Sequence, residues 1–346
     1  MAHRYDREDV EDRNTARSSW PLYFLGGLFV AGVLSLAAWN IEIPYLAYSP
    51  GPVSDAADNV VTEGVPVFPP EGELLMLTVS SQDVNVFEAV IAGFDPTIDL
   101  VRRERVRPPD ETDEQYRERV LQQMDSSQEV AISVALSHLG HEMIPTGILV
   151  TEIREGTPAS AALEVGDRIE SINGDEVLLL SDLTDALEGL APGDVVDMGL
   201  IRAGSATRVT VELAERDDGS AMIGVTVHQL DEPPFPIRLE TGVVGGPSAG
   251  MMQTLAIIDS LTEGEMTKGH VVAGTGTIGA DGTIGGIGGI RQKVVAAEAA
   301  GAEYMLLPAG NYDSALTAER DDMELIPVGH VDEAIAFLNG LAEKPS

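Results

Sequence analysis

Gly245–Glu265 reads GGPSAGMMQTLAIIDSLTEGE, and Val271–Asn311 reads VVAGTGTIGADGTIGGIGGIRQKVVAAEAAGAEYMLLPAGN. The first run sets Ser248 among glycines at the head of a helical pattern, with Met251, Leu255 and Ile258 on one face. The second predicts glycine- and threonine-rich strand and turn over 271–287, then an alanine-rich helix over 292–300 ended by Gly301, then a strand over 304–308. Lys293 lies near the start of that helix. The chain has three lysines, Lys268, Lys293 and Lys344, so one set among glycines and apolar residues reads as more than surface filler. A serine hydroxyl is a poor nucleophile at neutral pH and needs a base beside it. A lysine can be that base if burial keeps its amine neutral, because desolvation disfavours the charged form. The pair predicts a serine–lysine hydrolase, with backbone N–H groups of Gly246 and Ser248 at the helix start as oxyanion donors.

Two other motifs compete for the same residues. Gly246-Pro247-Ser248-Ala249-Gly250 also satisfies GxSxG, the nucleophile elbow of α/β-hydrolases, with Asp313 or Asp321 and then His330 in triad order. Fewer than a hundred residues follow Ser248, however, and His330 reads more simply as a turn residue. Gly274-x-Gly276-x-x-Gly279 matches GxGxxG, yet Ala280-Asp281-Gly282 turns into more glycine instead of a helix, which argues against a dinucleotide site.

The remaining composition narrows the field. The 346 residues suffice for two compact domains with appendages. A net charge of -36 argues against nucleic-acid binding, which needs a basic face. Without cysteine there are no disulfides and no thiolate metal sites. His138 and His141 stand three apart with Gly140 between them and no third ligand, so no metal is expected, and no motif calls for a cofactor.

Trp20–Trp39 is an uncharged stretch, WPLYFLGGLFVAGVLSLAAW, long enough for one helix across a bilayer, with tryptophans suited to both interfaces. Arg4, Arg7, Arg13 and Arg17 precede it, and no Lys or Arg occurs between Ser18 and Val101. The positive-inside rule then puts residues 1–19 in the cytoplasm and everything after Asn40 outside. The competing reading, a cleaved signal peptide, has a shorter apolar core and a small-residue cleavage site.

Between these landmarks, Glu71–Ser80 reads as a strand, Val84–Phe94 as a short helix, Arg102–Glu118 as an exposed loop leading into helix, and Ser127–Leu139 as a helix. Gly147–Leu213 has its own grammar: the strand Ile148–Ile153, Gly156-Thr157-Pro158-Ala159, Val165-Gly166-Asp167-Arg168-Ile169, and an Asn173-Gly174 hairpin turn. Over nearly its full length this stretch resembles a bacterial PDZ domain. The resemblance implies that a peptide end adds as a strand beside Gly147, Ile148, Leu149 and Val150. Asp217-Asp218-Gly219-Ser220 reads as a linker.

The segments quoted first resemble the proteolytic domain of the Lon family over roughly Gly224 to Leu341. That resemblance implies Ser248 as nucleophile, Lys293 as general base, and Thr275 as a residue that helps orient the lysine. It also implies hexameric rings. The family's usual acidic residue before GPSAG is absent, since Gly245 occupies the place. GELLMLTVS and MDSSQEVAISVAL look like the early strand and first helix of the same fold, with the PDZ module inserted between them and the rest. No GxxxxGK[ST] loop occurs, so the chain resembles the membrane-anchored, ATP-independent branch.

The expected architecture is α+β: a cytoplasmic tail at 1–19, a transmembrane helix at 20–40, an extracytoplasmic segment at 41–144 read as the first part of the protease domain, a PDZ domain at 145–215 that forms a small β-barrel inserted in or preceding the α/β proteolytic domain, and a proteolytic core at 216–346. The expected function is a membrane-anchored serine endopeptidase acting on unfolded or C-terminal segments of envelope proteins. The rivals are a non-catalytic PDZ adaptor on an inert protease fold and an esterase using Ser248 and His330.

Overall fold

The computed structural model describes residues 20–241 and 245–344; the tail expected at 1–19 lies outside them. The chain divides into two compact units, residues 1–50 with 79–111 and residues 51–78 with 112–346. Its elements begin with α1 (Trp20–Asn40), β1 (Glu42–Asp55), β2 (Glu73–Asn85), α2 (Val86–Ala92) and β3 (Asp99–Arg102). Next come α3 (Asp113–His138), β4 (Ile144–Ile153), β5 (Arg168–Ile172), α4 (Leu180–Asp185), β6 (Val195–Arg202), β7 (Ser205–Glu212) and β8 (Val225–Glu232). Last are α5 (Gly250–Leu261), β9 (Val271–Gly274), α6 (Ile290–Ala299), β10 (Tyr304–Pro308), β11 (Glu324–Val328) and α7 (Val331–Asn339).

In the first unit, the apolar run at Trp20–Asn40 is one helix of 21 residues, which at the α-helical rise is roughly 30 Å long. Among the described residues no helix is long and apolar enough to cross a membrane, and several α1 side chains lie outside those residues. The early part of β1 pairs antiparallel with β3, Tyr45 opposite Arg102 and Tyr48 opposite Asp99. Asn85 starts α2 with a capping box, its side chain accepting from Glu88 N–H while Glu88 reaches back to Asn85 N–H.

In the second unit a parallel sheet runs in the order β11-β10-β9-β2. Alternation along the strands aims side chains at two faces. Leu74, Met76, Val272 and Leu306 share one core with α5 and with Ala131, Val134 and Ala135 of α3 and Ala334 and Leu338 of α7. Leu75, Leu77, Ala273, Met305 and Leu307 form the other core with Val294 and Ala297 of α6. With both faces covered, the strands read as near-continuous apolar runs. The first part of β2 and the helix α3, which precede the PDZ-like stretch, are thus part of the same layered body as Ser248. The charged loop expected up to Glu118 is shorter than that. Thr112 caps α3 through Gln115, so the helix starts at Asp113; its first turns are charged because they face solvent, which hid them from a search for apolar periodicity.

The inserted module is an antiparallel sheet in the order β8-β4-β5-β6-β7. Ile148, Val150, Ile169, Met198, Leu200 and Val211 fill its core. Asn173 and Gly174 both take positive φ in the tight hairpin after β5, as the Asn-Gly pair predicts. Buried Asp167 is gripped by Arg202 through two hydrogen bonds of 2.7 Å, and this fork holds the Asp167 carboxyl below its usual range. The module extends past the expected end at 215: Ala214–Glu215 pairs with Ala221–Met222, and β8 lies beside β4. The polar stretch at 217–220 is therefore a hairpin turn inside the module, not a linker out of it.

One buried carboxylate near the end of α5 lacks full pairing. Asp259 is 2% exposed; its Oδ1 accepts from Met266 N–H at 2.8 Å, and its Oδ2 has no hydrogen-bond partner. Burial pushes its pKa up to about 6. The folded state therefore holds a proton more tightly than the unfolded chain, so stability falls as pH rises through about 6. Asp259→Asn is expected to raise Tm at about pH 8 and to change it little at about pH 4, measured by thermal unfolding.

Candidate active site

Three backbone contacts pin the residue that carries the hydroxyl. Gly246 takes φ +92°, a conformation closed to most side chains, and delivers the chain into a single tight turn at Pro247–Ala249. The Pro247 carbonyl accepts from Ser127 Oγ of α3 at 3.2 Å. The Ser248 carbonyl accepts from Gly276 N–H at 2.9 Å and from Thr275 Oγ1 at 3.0 Å. Ser248 itself is half-buried.

Lys293 arrives from the opposite layer. Gly289, in the left-handed region at φ +67°, ends the glycine-rich loop and starts α6, and Lys293 sits on the first turn. Its side chain is 2% exposed. The Nζ lies 2.8 Å from Ser248 Oγ and 2.8 Å from Thr275 Oγ1. Burial brings its pKa down from the ordinary lysine value to about 7.

The hydroxyl of Thr275 gives this arrangement a direction. Its proton goes to the Ser248 carbonyl, so its oxygen can only accept from the amine. A neutral amine that donates one N–H to Thr275 then has its lone pair available for the Ser248 O–H. Serine oxygen, amine and threonine oxygen thus form a proton-transfer pair with an orienting acceptor, geometry suited to activating Ser248 as a nucleophile.

The proposed oxyanion donors fare unequally. Gly246 N–H donates to the Val120 carbonyl at 3.2 Å, because α3 runs alongside the loop, so Gly246 is not an available donor and that expectation is corrected. Ser248 N–H remains, in a first turn where helix N–H groups lack partners within the helix. Val120 also explains Gly245: a Cβ there would run into Val120 Cγ1, so the acidic side chain common before GPSAG has no room.

His330 does not approach Ser248 as a partner. It caps α7, with Nε2 against the Asp281 carbonyl at 2.8 Å and Nδ1 accepting from Asp332 N–H at 3.2 Å. After Gly274 the chain forms the small hairpin Thr277–Ile278 with Ile284–Gly285, leaving no helix for a dinucleotide loop. His138 faces Asp332 at 3.6 Å while His141 packs edge-on to Phe235. Among the described residues no group of side chains that could hold a metal ion converges.

A groove of about 360 Å³ opens beside Pro247, lined by Arg119, Gln122, Gln123 and Ser126 of α3 together with Ile278. Sequence reasoning missed these residues, since a polar helix face carries no motif. A second groove, of about 1110 Å³, lies in the inserted module between β8 and the segment Leu180–Leu190, with Arg154 and Arg216 on its wall. This placement corrects the peptide edge expected at Gly147, Ile148, Leu149 and Val150. Those residues are flanked on both sides, by Val227–Leu230 and, at Ile148 and Leu149, by Ile169 and Arg168. β8 is one of the two edges of the sheet, β7 being the other, and it is the one that lines this groove. The segment leading into β8, Ala221–Gly224, has Gly224 at φ +92° with its carbonyl accepting from Arg154 N–H at 2.9 Å. A strand supplied from beyond residue 215 was invisible to a reading that closed the module there.

Fold and site together define a domain of serine-peptidase type joined to a small antiparallel β module. Residues 224–339 match the family model of the Lon protease (S16) C-terminal proteolytic domain, and residues 120–213 match that of the PDZ domain. The chain carries a Lon-type proteolytic domain and a PDZ domain. The physical boundaries differ from the matched ones, since residues 120–138 belong to α3 and residues 225–232 to the module's sheet. The Lon protease of Methylocella silvestris is 34% identical over 133 residues, 37% of this chain and 16% of that protein. The Lon protease of Phenylobacterium zucineum is 37% identical over 118 residues, 33% of this chain and 15% of that protein. The chain thus spans about a sixth of the length of these curated relatives. Among solved structures, the PDZ domain of the SdrC-like protein from Listeria monocytogenes is 23% identical, with 23% of this chain and 86% of that chain covered and a TM-score of 0.23.

A buried amine costs stability, and the sign of that cost can be tested. The unfolded chain keeps its lysine protonated to higher pH than the folded one, so stability attributable to Lys293 is lowest below about pH 7 and recovers above it. Lys293→Met, of similar length and without the charge, is expected to raise Tm, most at about pH 6 and least at about pH 10, as read by calorimetry.

Proposed function

We propose that the chain is an ATP-independent, membrane-anchored serine endopeptidase in which Ser248 attacks the peptide carbonyl and Lys293 is the general base. The observation that carries this reading is the buried Lys293 Nζ at 2.8 Å from Ser248 Oγ. Neutral Lys293 accepts the Ser248 proton as the hydroxyl oxygen bonds to the carbonyl carbon, and returns it to the leaving amine. Water then attacks the acyl carbon, giving a proton to the same amine, which passes it to Ser248 Oγ as the acyl–oxygen bond breaks. Thr275 holds the amine in line, and the Ser248 N–H stabilises the developing oxyanion. The groove along α3 beside Pro247 is the natural seat for the substrate chain.

Anchoring is supported by the uncharged run at 20–39, by the arginines of the tail before it, and by the absence of Lys and Arg between Ser18 and Val101. This arrangement puts the catalytic portion outside the cytoplasm, facing envelope proteins. The inserted module supplies recognition: a peptide end pairs with the free edge of β8, its carboxylate reaching the backbone of Ala221–Gly224 close to Arg154 and Arg216. A homo-oligomer is part of the same proposal by family analogy.

Digestion of casein by the purified protein without ATP tests the chemistry. Wild type is expected to cleave, and Ser248→Ala and Lys293→Ala to lose cleavage by at least about a hundredfold, with His330→Ala close to wild type. Cleavage that survives loss of Lys293 would return the site to an elbow mechanism, and partner effects that survive loss of Ser248 would favour the adaptor. Below about pH 7 kcat/KM is expected to fall about tenfold per pH unit as the amine protonates. For the groove, Leu183→Glu is expected to weaken binding of a labelled C-terminal peptide by about tenfold or more, while Gly147→Ala, at an edge already paired, is not expected to act through peptide contact.

A further inference from the structure

The first unit leaves an apolar helix face uncovered. On α2 and just beyond it, Phe87, Val90, Ile91 and Phe94 are 36%, 57%, 68% and 86% exposed, while Ala92 between them is buried. The spacing puts the exposed residues on one side of the helix. Four large apolar side chains in eight residues form a contiguous patch, which a soluble surface rarely leaves open to water.

Position decides what covers it. Phe87 meets Trp39, on the last turn of α1, with ring centroids 6.3 Å apart. Trp39 is 65% exposed and ends the apolar helix, where an aromatic side chain belongs at the lipid–water boundary. The patch therefore begins at the level where α1 would leave a bilayer. Charge in the same unit agrees. In a chain of net charge -36, Arg102, Arg103, Arg105 and Arg107 fall within six residues. Arg103 is held by Asp83 and Glu42, whereas Arg105 and Arg102, the latter 3.4 Å from Glu104, are exposed. Arg102 lies opposite Tyr45, five residues beyond the end of α1.

We propose that α2 and Phe94 form a second membrane contact, lying in the outer interface of the bilayer beside the exit of α1, with Arg102 and Arg105 facing lipid phosphates. Phe87, Val90, Ile91 and Phe94 sink into the headgroup–acyl boundary as the apolar side of an interfacial helix does. Two contacts instead of one restrict the tilt and rotation of the first unit at the membrane surface. The inference rests on the membrane reading of α1 given above.

The absence of cysteine makes the test clean. Single variants of the full chain, Ile91→Cys, Phe94→Cys and Leu28→Cys, are labelled with an environment-sensitive fluorophore and reconstituted into vesicles of zwitterionic and anionic phospholipid. Nitroxide lipids, spin-labelled near the headgroup or deep in the acyl chain, then serve as quenchers. The expected result is loss of emission at 91 and 94 with the shallow nitroxide and at 28 with the deep one. Quenching at 28 without quenching at 91 and 94 overturns this inference and leaves the anchor standing. A blue-shifted but unquenched label at 91 and 94 means that another copy of the chain covers the patch, which also overturns it. Quenching at 91 and 94 but not at 28 supports the patch and overturns the spanning helix; no quenching at any of the three overturns both.

Discussion

The amine of Lys293 is removed from water and held against two hydroxyls, and most of the second unit serves to keep it there. Desolvation alone brings a lysine to where it can accept a proton near neutral pH. That state needs a dry wall on every side: α6 seats the residue at the left-handed turn of Gly289, and β9 ends one residue before Thr275, which supplies the oriented acceptor. The parallel sheet lies between the two apolar cores that carry α5 with Ser248 and α6 with Lys293. Ends of adjacent layers thus meet at a point where neither helix alone could bury a charge.

The inserted module solves a different problem with different means. Its sheet is open at two edges, β7 and β8, and β8 is the strand from which the chain leaves the module on its way to Ser248. Peptide capture by strand addition needs backbone groups that are not already paired. β8, which leads out of the module toward Ser248, is an edge strand and lines the groove beside Leu180–Leu190. Fifteen residues separate Glu232, at the end of that strand, from Ser248.

What the sequence made legible follows from where information is local. Ser248, Thr275 and Lys293 sit in glycine-rich runs whose backbone freedom and low lysine background single them out, and the structure brings those three together. The early strand and helix were visible as apolar patterns, although only their packing on β9 and α5 shows that they belong with Ser248. Three features were not legible. The start of α3 is polar because it faces water. The contact that occupies Gly246 N–H comes from Val120, more than a hundred residues away. The partner of β4 is a strand that follows a turn composed like a linker, Asp217-Asp218-Gly219-Ser220, so periodicity offered no reason to carry the module past it.

The protonation of one lysine is the claim on which the proposed chemistry stands. With only Lys268, Lys293 and Lys344 present, a protein labelled with nitrogen-15 in lysine side chains presents three Nζ signals, assigned by single substitution. Titrated by NMR, Lys293 is expected to change state near pH 7, well below an ordinary lysine at about 10.4. A Lys293 signal that stays protonated until about pH 10 would contradict the account, because a charged amine has no lone pair with which to take the proton of Ser248.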